Sequence, residues 1–561
     1  MKQTSVFILL LFLTLNTTSQ NPYRSPLDIP IVLSANFAEL RPNHFHSGID
    51  LKTQGVVNKP VYSIADGHVS RISVSPSGYG LALYVNHPET GHTSVYGHLN
   101  KYAPKIAEYI KDKQYEKESY RIDIKLDSNE IPVKKGELIA YSGNTGSSFG
   151  PHVHFEIRDT QTQNALDPLI YYKSQIEDTR PPQLRGIGIY PMTGEGVVNN
   201  SSDPYRKAIS TKKNGDYISL DGIHAWGKIG IGVYTNDRMT GTHNIYGVKT
   251  VRLFCDDTEI FSSDITSVDF NTTRMINSMI DFEYWLTHKD FYQKSFVEPG
   301  NKLPIYKSEN DGYIDINEER MYTFRYELTD LYGNSTIYSF SIEGKKQDIP
   351  PHRKCTQMMV WNQNNRYISE DFNLTIPSGY LYKDLCFILK KRPSQKHLSD
   401  IYQVNDKAVP LNDFCDMTIK MTKDSLVNKS QYGLVLIKGD KESWVGGIYE
   451  DGYIQAGIRQ LGGDYAVSTD TKAPTITPVK PTGWVNQKAI KIRLTDNKSG
   501  IASYKGTING EFVLFEHDTK STVYTYNFDP KRLKKGQIQK LKFTATDACG
   551  NKATYEYSFK Y

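Results

Sequence analysis

Two short stretches carry side chains that could do chemistry together. Residues 41–50 read Arg-Pro-Asn-His-Phe-His-Ser-Gly-Ile-Asp, and much later residues 150–156 read Gly-Pro-His-Val-His-Phe-Glu. In an extended strand side chains alternate faces, so residues two or four apart share one. That spacing groups His46 with Asp50 and His152 with His154. Gly48, Ile49 and Val153 disfavour the helical reading of the same intervals. Two imidazoles and one carboxylate form a three-ligand set for Zn²⁺ that leaves a fourth position for water, the pattern of catalytic rather than structural zinc. A further His on the same face is then available for proton transfer.

Zinc in such a set polarises a carbonyl and brings the pKa of bound water from about 15.7 toward roughly 7, making a nucleophile near neutral pH. Attack on a peptide carbonyl builds negative charge on oxygen, and the departing amine needs a proton. Histidine suits both tasks because its unperturbed pKa is about 6.5. The residue types therefore point to metal-assisted amide hydrolysis.

His46-Ser-Gly-Ile-Asp50, Tyr96-Gly-His98-Leu99, Gly143-Asn-Thr-Gly146 and Gly150-Pro-His152-Val-His154-Phe-Glu156 occur in that order. Together they resemble the lysostaphin-type M23 zinc endopeptidases of bacterial cell walls, over roughly residues 35–158. The resemblance implies that His46, Asp50 and His154 ligate Zn²⁺ and that His98 and His152 are the catalytic pair; none of the five departs from the family pattern. It also implies peptidoglycan cross-links or stem peptides as substrate. Which of His98 and His152 takes the water proton and which steadies the oxyanion stays open. The competing reading is a non-enzymatic wall-binding protein or activator of other wall hydrolases, but such relatives typically lose ligands that this chain keeps. A third is an adhesin-like surface protein whose later modules carry the function.

Other candidates take bland readings. His44, two residues before His46, could face a metal on strand parity, but the family pattern puts the ligand on the His followed by x-Gly-x-Asp. His44, His68, His87 and His92 are read as ordinary polar residues of a β-rich domain. Glu156 shares the parity of His154 and could support it, yet a surface strand carboxylate is the preferred reading. No Lys-Ser/Thr follows Gly143–Gly146 as a phosphate loop requires, so this segment is expected to be a tight turn rimming the cleft.

The elements that must position these groups are short strands. Runs at 61–64, 68–74, 81–87, 92–99, 137–142 and 152–158 are separated by Asp-Gly, Ser-Gly, Thr-Gly and Lys-Lys-Gly turns and predict an antiparallel sheet. Residues 103–120, rich in Lys, Glu, Tyr and Ala, predict a small helical insertion at one end of the sheet or in the cleft wall. The fold class expected for the whole chain is all-β dominated and multidomain. An antiparallel peptidase domain with that insertion is followed by β-sandwich, immunoglobulin-like modules.

The expected boundaries are a signal peptide at 1–19, the peptidase domain at 20–175, a sandwich at 176–345, a β-rich module at 346–469 and a second sandwich at 470–561. Lys2, the apolar run 6–15 and Thr17-Thr-Ser-Gln form the leader, too short for a confident membrane span and without a following lipidation Cys. Export to a periplasm or the cell surface is therefore expected, with no transmembrane segment. The two sandwiches are placed by an internal repeat. Asp178-Thr-Arg-Pro-Pro matches Asp470-Thr-Lys-Ala-Pro, and Thr329-Asp-Leu-Tyr-Gly-Asn334 matches Thr546-Asp-Ala-Cys-Gly-Asn551. Between these lie loops of similar type, Asn236-Asp-Arg-Met-Thr-Gly241 and Asp496-Asn-Lys-Ser-Gly500. One Asp per turn supplies too few oxygens for calcium, so the repeated positions are read as turns.

The 561 residues carry a net charge of +5, and no polybasic stripe points to nucleic acid. Five cysteines, at 255, 355, 386, 415 and 549, leave at least one unpaired within the chain; a disulfide among Cys355, Cys386 and Cys415 is open. The 39 tyrosines fit β-propensity as well as sugar binding, so the later modules are read first as spacers, with a wall or surface partner as the alternative. Little chain precedes residue 41, so any restraint on the site is expected from those modules.

Overall fold

The computed structural model describes residues 21–210, 213–351 and 354–561, and the expected signal peptide lies outside the described residues. Strands dominate, and among the described residues one helix exceeds seven residues. The sheet that carries the site is built from β1 (Leu33–Ala35), β2 (Ile49–Lys52), β3 (Gly67–Val74), β4 (Leu81–His87), β5 (His92–Leu99), β6 (Ile122–Lys125) and β7 (His152–Asp159). Its order is β1-β2-β7-β5-β4-β3-β6, with every neighbouring pair antiparallel. The central β7 shows why this sequence makes a strand there. Val153, Phe155 and Ile157 fall on one face and are fully buried, while His152, His154, Glu156 and Arg158 fall on the other. Each of those apolar side chains contributes roughly 1.5–3 kcal/mol by leaving water, so a one-residue slip that turned the imidazoles inward is heavily disfavoured.

Two of the expected runs leave this sheet. Pro60–Tyr62 and Leu138–Tyr141 pair with each other in a separate three-stranded sheet, in which Leu138–Tyr141 also pairs with Lys101–Tyr102. Alternation cannot distinguish these cases, because it reports a face and not a partner. The expected insertion is α1 (Pro104–Glu116), with Pro104 in its first turn, where a missing N–H costs nothing. It buries Ile106, Ile110 and Gln114, the two isoleucines joining the core beneath the sheet.

That core does not stop near residue 175. Met239, Tyr246, Ile265, Val268, Ile276, Met279 and Trp285 belong to the same buried cluster as Phe155 and Ile157. The short strand Ser267–Val268 adds to the sheet through Ala165–Leu166. Beyond it lie an eleven-stranded sheet within residues 183–344 and an eight-stranded sheet organised on the long strands Ile401–Lys420 and Tyr453–Thr469. In the last module a three-stranded and a four-stranded sheet share one core containing Ile490, Ile492, Tyr526, Leu541 and Phe543. Cys355 and Cys386 form a disulfide, leaving Cys255, Cys415 and Cys549 free. No helix among the described residues is long and apolar enough to cross a membrane.

Candidate active site

Two strands and one turn bring His46, Asp50 and His154 together. Asp50 on β2 lies directly across from His154 on β7. His46 is not on a strand: it follows the hairpin Leu40–Arg41/His44–Phe45 and reaches the site through a tight turn, so the parity argument for His46 and Asp50 does not apply. Gly48 makes the turn possible, because a Cβ there would sit 2.3 Å from the Phe155 carbonyl oxygen. His46 Nε2, His154 Nδ1 and Asp50 Oδ1 form a nearly equilateral triangle with edges of 3.0, 3.0 and 3.1 Å. All three residues are buried.

Hydrogen bonds at the outer edge of each ring fix which nitrogen faces inward. His46 Nδ1 lies 2.6 Å from the Asn36 carbonyl oxygen, and His154 Nε2 lies 2.8 Å from Glu156 Oε1. Each can be satisfied only if the ring nitrogen donates, which leaves the inner nitrogen of each neutral imidazole with a lone pair. Two lone pairs and a carboxylate oxygen converging within 3.1 Å are poorly matched to one another and well matched to one cation with bonds of about 2.0–2.2 Å. The residues therefore fit zinc.

Glu156 is the group the sequence misjudged. It is fully buried rather than a surface carboxylate, and it gathers four partners: His154, Ser47 Oγ and Arg158 Nε at 2.8, 2.5 and 2.5 Å, and Tyr79 OH at 2.6 Å. Burial alone would raise its pKa, but Arg158 and then His154 hold it well below the usual carboxylate range. Asp50 behaves likewise, kept low by His46, His152 and His154 against burial. His154, although buried, is pushed up to about 9 by its bonds to Asp50 and Glu156, so a cation entering the triangle takes the place of the proton on its inner nitrogen. Arg41 adds a more distant charge, 3.8 Å from Asp50 Oδ2.

His98 and His152 stand on the open side of the triangle, their rings 4.8 Å apart. His152 Nδ1 lies 2.8 Å from the Gly150 carbonyl oxygen and His98 Nδ1 2.8 Å from that of Thr145, which leaves His98 Nε2 open and turns His152 Nε2 toward Asp50. His152 Nε2 is 3.4 Å from Asp50 Oδ1. His98 takes a left-handed backbone, φ +57°, a conformation uncommon outside glycine and concentrated at functional sites. Burial, then His154 and His152, lowers its pKa to about 3, so it is a neutral base at ordinary pH. Gly97 beside it leaves room for the site, since a Cβ there would approach His154 Cβ to 3.3 Å.

Residues 143–150 run beside the triangle, holding His98 through the Thr145 carbonyl and His152 through the Gly150 carbonyl, and make one rim of the site with Phe149 fully exposed upon it. The last module is seated on this rim. Lys520 Nζ donates to the Asn144 and Gly146 carbonyls at 2.6 Å, Asp518 accepts from the Gly146 N–H at 3.0 Å, and Thr519 bonds the Pro76 carbonyl. The same module meets α1 through a Lys111–Asp529 ion pair at 2.8 Å and a Tyr115–Phe512 ring contact. His44 is exposed and bonded to the Pro42 carbonyl, outside the cluster, and His87 is buried on Ser94 and the Asp66 carbonyl. Arg158, Tyr79 and Ser47 went unrecognised in the sequence. For Arg158 the period-two run from His152 was the available signal.

A sheet whose one face holds a His₂Asp donor set beside two further imidazoles defines a metallohydrolase type of site. Residues 44–115 and 121–168 match peptidase family M23, and the break at 116–120 coincides with the end of α1. Residues 356–470 match a Zu5-like domain. An uncharacterised metalloprotease of Haemophilus influenzae is 35% identical over 112 residues, 20% of this chain and 18% of that protein. Lysostaphin of Staphylococcus simulans is 28% identical over 131 residues, 23% of this chain and 22% of its own. The chain thus spans about a fifth of the length of these relatives. Among solved structures, the lysostaphin catalytic domain from S. simulans aligns at 23% identity with a TM-score of 0.20, over 26% of this chain and 92% of that one. A zinc-containing peptidase from Vibrio cholerae aligns at 26% identity and a TM-score of 0.19, over 25% and 37%.

Proposed function

We propose that the protein is an exported zinc metalloendopeptidase that hydrolyses peptide bonds in peptidoglycan cross-links or stems. The observation that carries the reading is the triangle of His46 Nε2, His154 Nδ1 and Asp50 Oδ1, with each imidazole turned lone pair inward by Asn36 or Glu156. Zinc held there supplies Lewis acidity and a water that ionises near neutral pH. This chain's own groups do the rest. His98 and His152 each have Nδ1 held by a loop carbonyl and present Nε2 to the site, open in His98 and beside Asp50 in His152, so each ring can take or return a proton at Nε2 without turning. Asp50 and Glu156 stay ionised and keep His46 and His154 in place. Phe149 on the rim offers an apolar face to a substrate chain.

Export is supported by the leader pattern and by the Cys355–Cys386 disulfide, since such bonds persist in oxidising compartments. The peptidoglycan substrate is inferred from the M23 domain. The test is zinc content and digestion of purified peptidoglycan by the full chain beside His154→Ala, with released peptides identified by mass spectrometry. Stoichiometric zinc and cleavage that both disappear in the variant are expected. Zinc-independent cleavage, or no cleavage of any peptidoglycan tried, refutes the reading.

A further inference from the structure

A second set of oxygen ligands assembles away from the cleft. Asp178 precedes the strand Gln183–Val198, Asp237 follows the strand His224–Asn236, and Asp330 opens the turn between Met321–Thr329 and Ser335–Gly344. Each contributes a carboxylate oxygen to a group lying within 4.8 Å of one another. They are 7%, 3% and 6% exposed and help line a cavity of about 30 Å³ that also touches Asn36, Asp167 and Tyr332.

Accounting for these oxygens leaves a deficit of positive charge. Asp178 Oδ1 accepts from the Arg180 and Thr240 backbone N–H groups and the Thr240 hydroxyl. Its Oδ2 is buried without a partner, as is the Tyr332 hydroxyl in the cavity wall. Asp237 accepts from the Arg238 N–H, and Asp330 from the Asn334 N–H and side-chain amide. Lys249, the one basic side chain lining the cavity, is paired with Asp264. Among the described residues none of the three carboxylates bonds a Lys or Arg side chain. Burying unneutralised carboxylates is costly unless a cation pairs with them. Asp237 registers that cost, its carboxyl pushed up to about 7 by burial and then by Asp330 and Asp178, which outweigh the Arg238 N–H and the nearby charge of Arg180.

We propose that Asp178, Asp237 and Asp330 bind a hard divalent cation, calcium first, at the junction of the M23 domain and the module that follows it. An all-oxygen donor set selects calcium or magnesium over zinc. Three loops with room for backbone carbonyls and water suit the longer 2.3–2.6 Å bonds and flexible coordination of calcium. Each turn offers one carboxylate, too few alone, and folding adds the three together. The repeat reproduces the arrangement: Asp470, Asp496 and Asp547 converge in the last module from the corresponding positions, again with one buried, unpartnered oxygen, Asp496 Oδ1. The first site adjoins the catalytic machinery. Asn36, whose carbonyl holds His46, is locked by its side chain to the Gly247 backbone across the same cavity.

The test uses the full chain with zinc retained in calcium-free buffer. Terbium is titrated and its tyrosine-sensitised emission followed, calcium is added in competition, and Tm is read with and without calcium. A saturable terbium signal displaced by calcium is expected, with calcium raising Tm by several degrees. In an Asp496→Asn background that disables the repeat's set, Asp237→Asn should lose most of both responses, while melting no lower than that background without calcium because the charge repulsion is relieved. Tyr332→Phe, which keeps every carboxylate, should retain the Tm shift and lose much of the sensitised emission, and it carries the test if Asp237→Asn does not fold. No calcium-dependent rise in the wild type, an Asp237→Asn variant that responds like its background, or a Tyr332→Phe variant with undiminished sensitised emission overturns the proposal.

Discussion

Replacing Glu156 with Gln should loosen the His46/Asp50/His154 set while keeping its shape. The wild-type carboxylate accepts from His154 Nε2 at 2.8 Å and is fully buried, so the bond is charge-assisted and unscreened. Partners of this kind are worth about 10–100-fold in metal affinity, or roughly 1.4–2.7 kcal/mol. The amide also deprives Arg158, 6% exposed and 2.5 Å from Glu156 Oε2, of its countercharge. Breaking a buried pair from one side costs about 3–5 kcal/mol, so a sizeable drop in stability should accompany the loss of zinc affinity. Glu156→Gln/Arg158→Met separates the two effects: it should recover much of the stability but not the zinc affinity. Zinc affinity is measured by competition with a chromophoric chelator, and stability by thermal melting of the zinc-loaded forms. If Glu156→Gln melts like wild type and binds zinc equally tightly, Glu156 does not hold His154 and the reasoning fails.

Asp167 gives a pH test. Burial raises its carboxyl from 3.8 to about 6, against the Leu169 N–H bond and the charge of Lys249. A raised acid is easier to ionise unfolded than folded, so this group's contribution falls as pH rises from about 4 through 6, by roughly 3 kcal/mol in all. Asp167→Asn should therefore be the more stable protein at pH 7 and lose its advantage near pH 4; denaturant melts showing a constant difference would contradict this. Lys520→Ala removes two bonds to the rim loop whose Thr145 carbonyl holds His98. Peptidoglycan digestion should slow by up to about tenfold, within the range of misplacing an acid–base group, with zinc content unchanged. A faster variant would instead mark the last module as a brake. Phe149→Ala should leave Tm unaltered within about 0.5 kcal/mol equivalent, the side chain being fully exposed, and raise KM more than it changes kcat. An unchanged KM would remove Phe149 from the substrate path.

Much of the site was legible because its chemistry is local in sequence. His152 and His154 share a face by strand parity, and β7 presents them so because Val153, Phe155 and Ile157 need the other side. The strands 81–87 and 92–99 and the helix within 103–120 follow from alternation, turn residues and composition, which act over a few neighbours. His46 reached the same cluster for a reason parity does not contain, a turn pressed against Phe155 through Gly48.

What remained illegible depends on contacts between distant segments. A lone carboxylate on an alternating strand looks solvated, and only the approach of Ser47, Tyr79 and Arg158 makes Glu156 a buried support. Nothing in residues 20–175 announces that their core continues into residues 239–305, or that a loop at 518–520 grips the rim beside His98. The aspartates of the repeat teach the same lesson: counted turn by turn they are too few to hold an ion, and only the packing of three loops brings their charges within one coordination sphere. Residue types and their spacing determined the chemistry available to this protein, because ligand and proton-transfer roles belong to side chains. Tertiary structure decided which of those side chains are dry, paired and close, because burial and electrostatic coupling are properties of the surroundings that folding supplies.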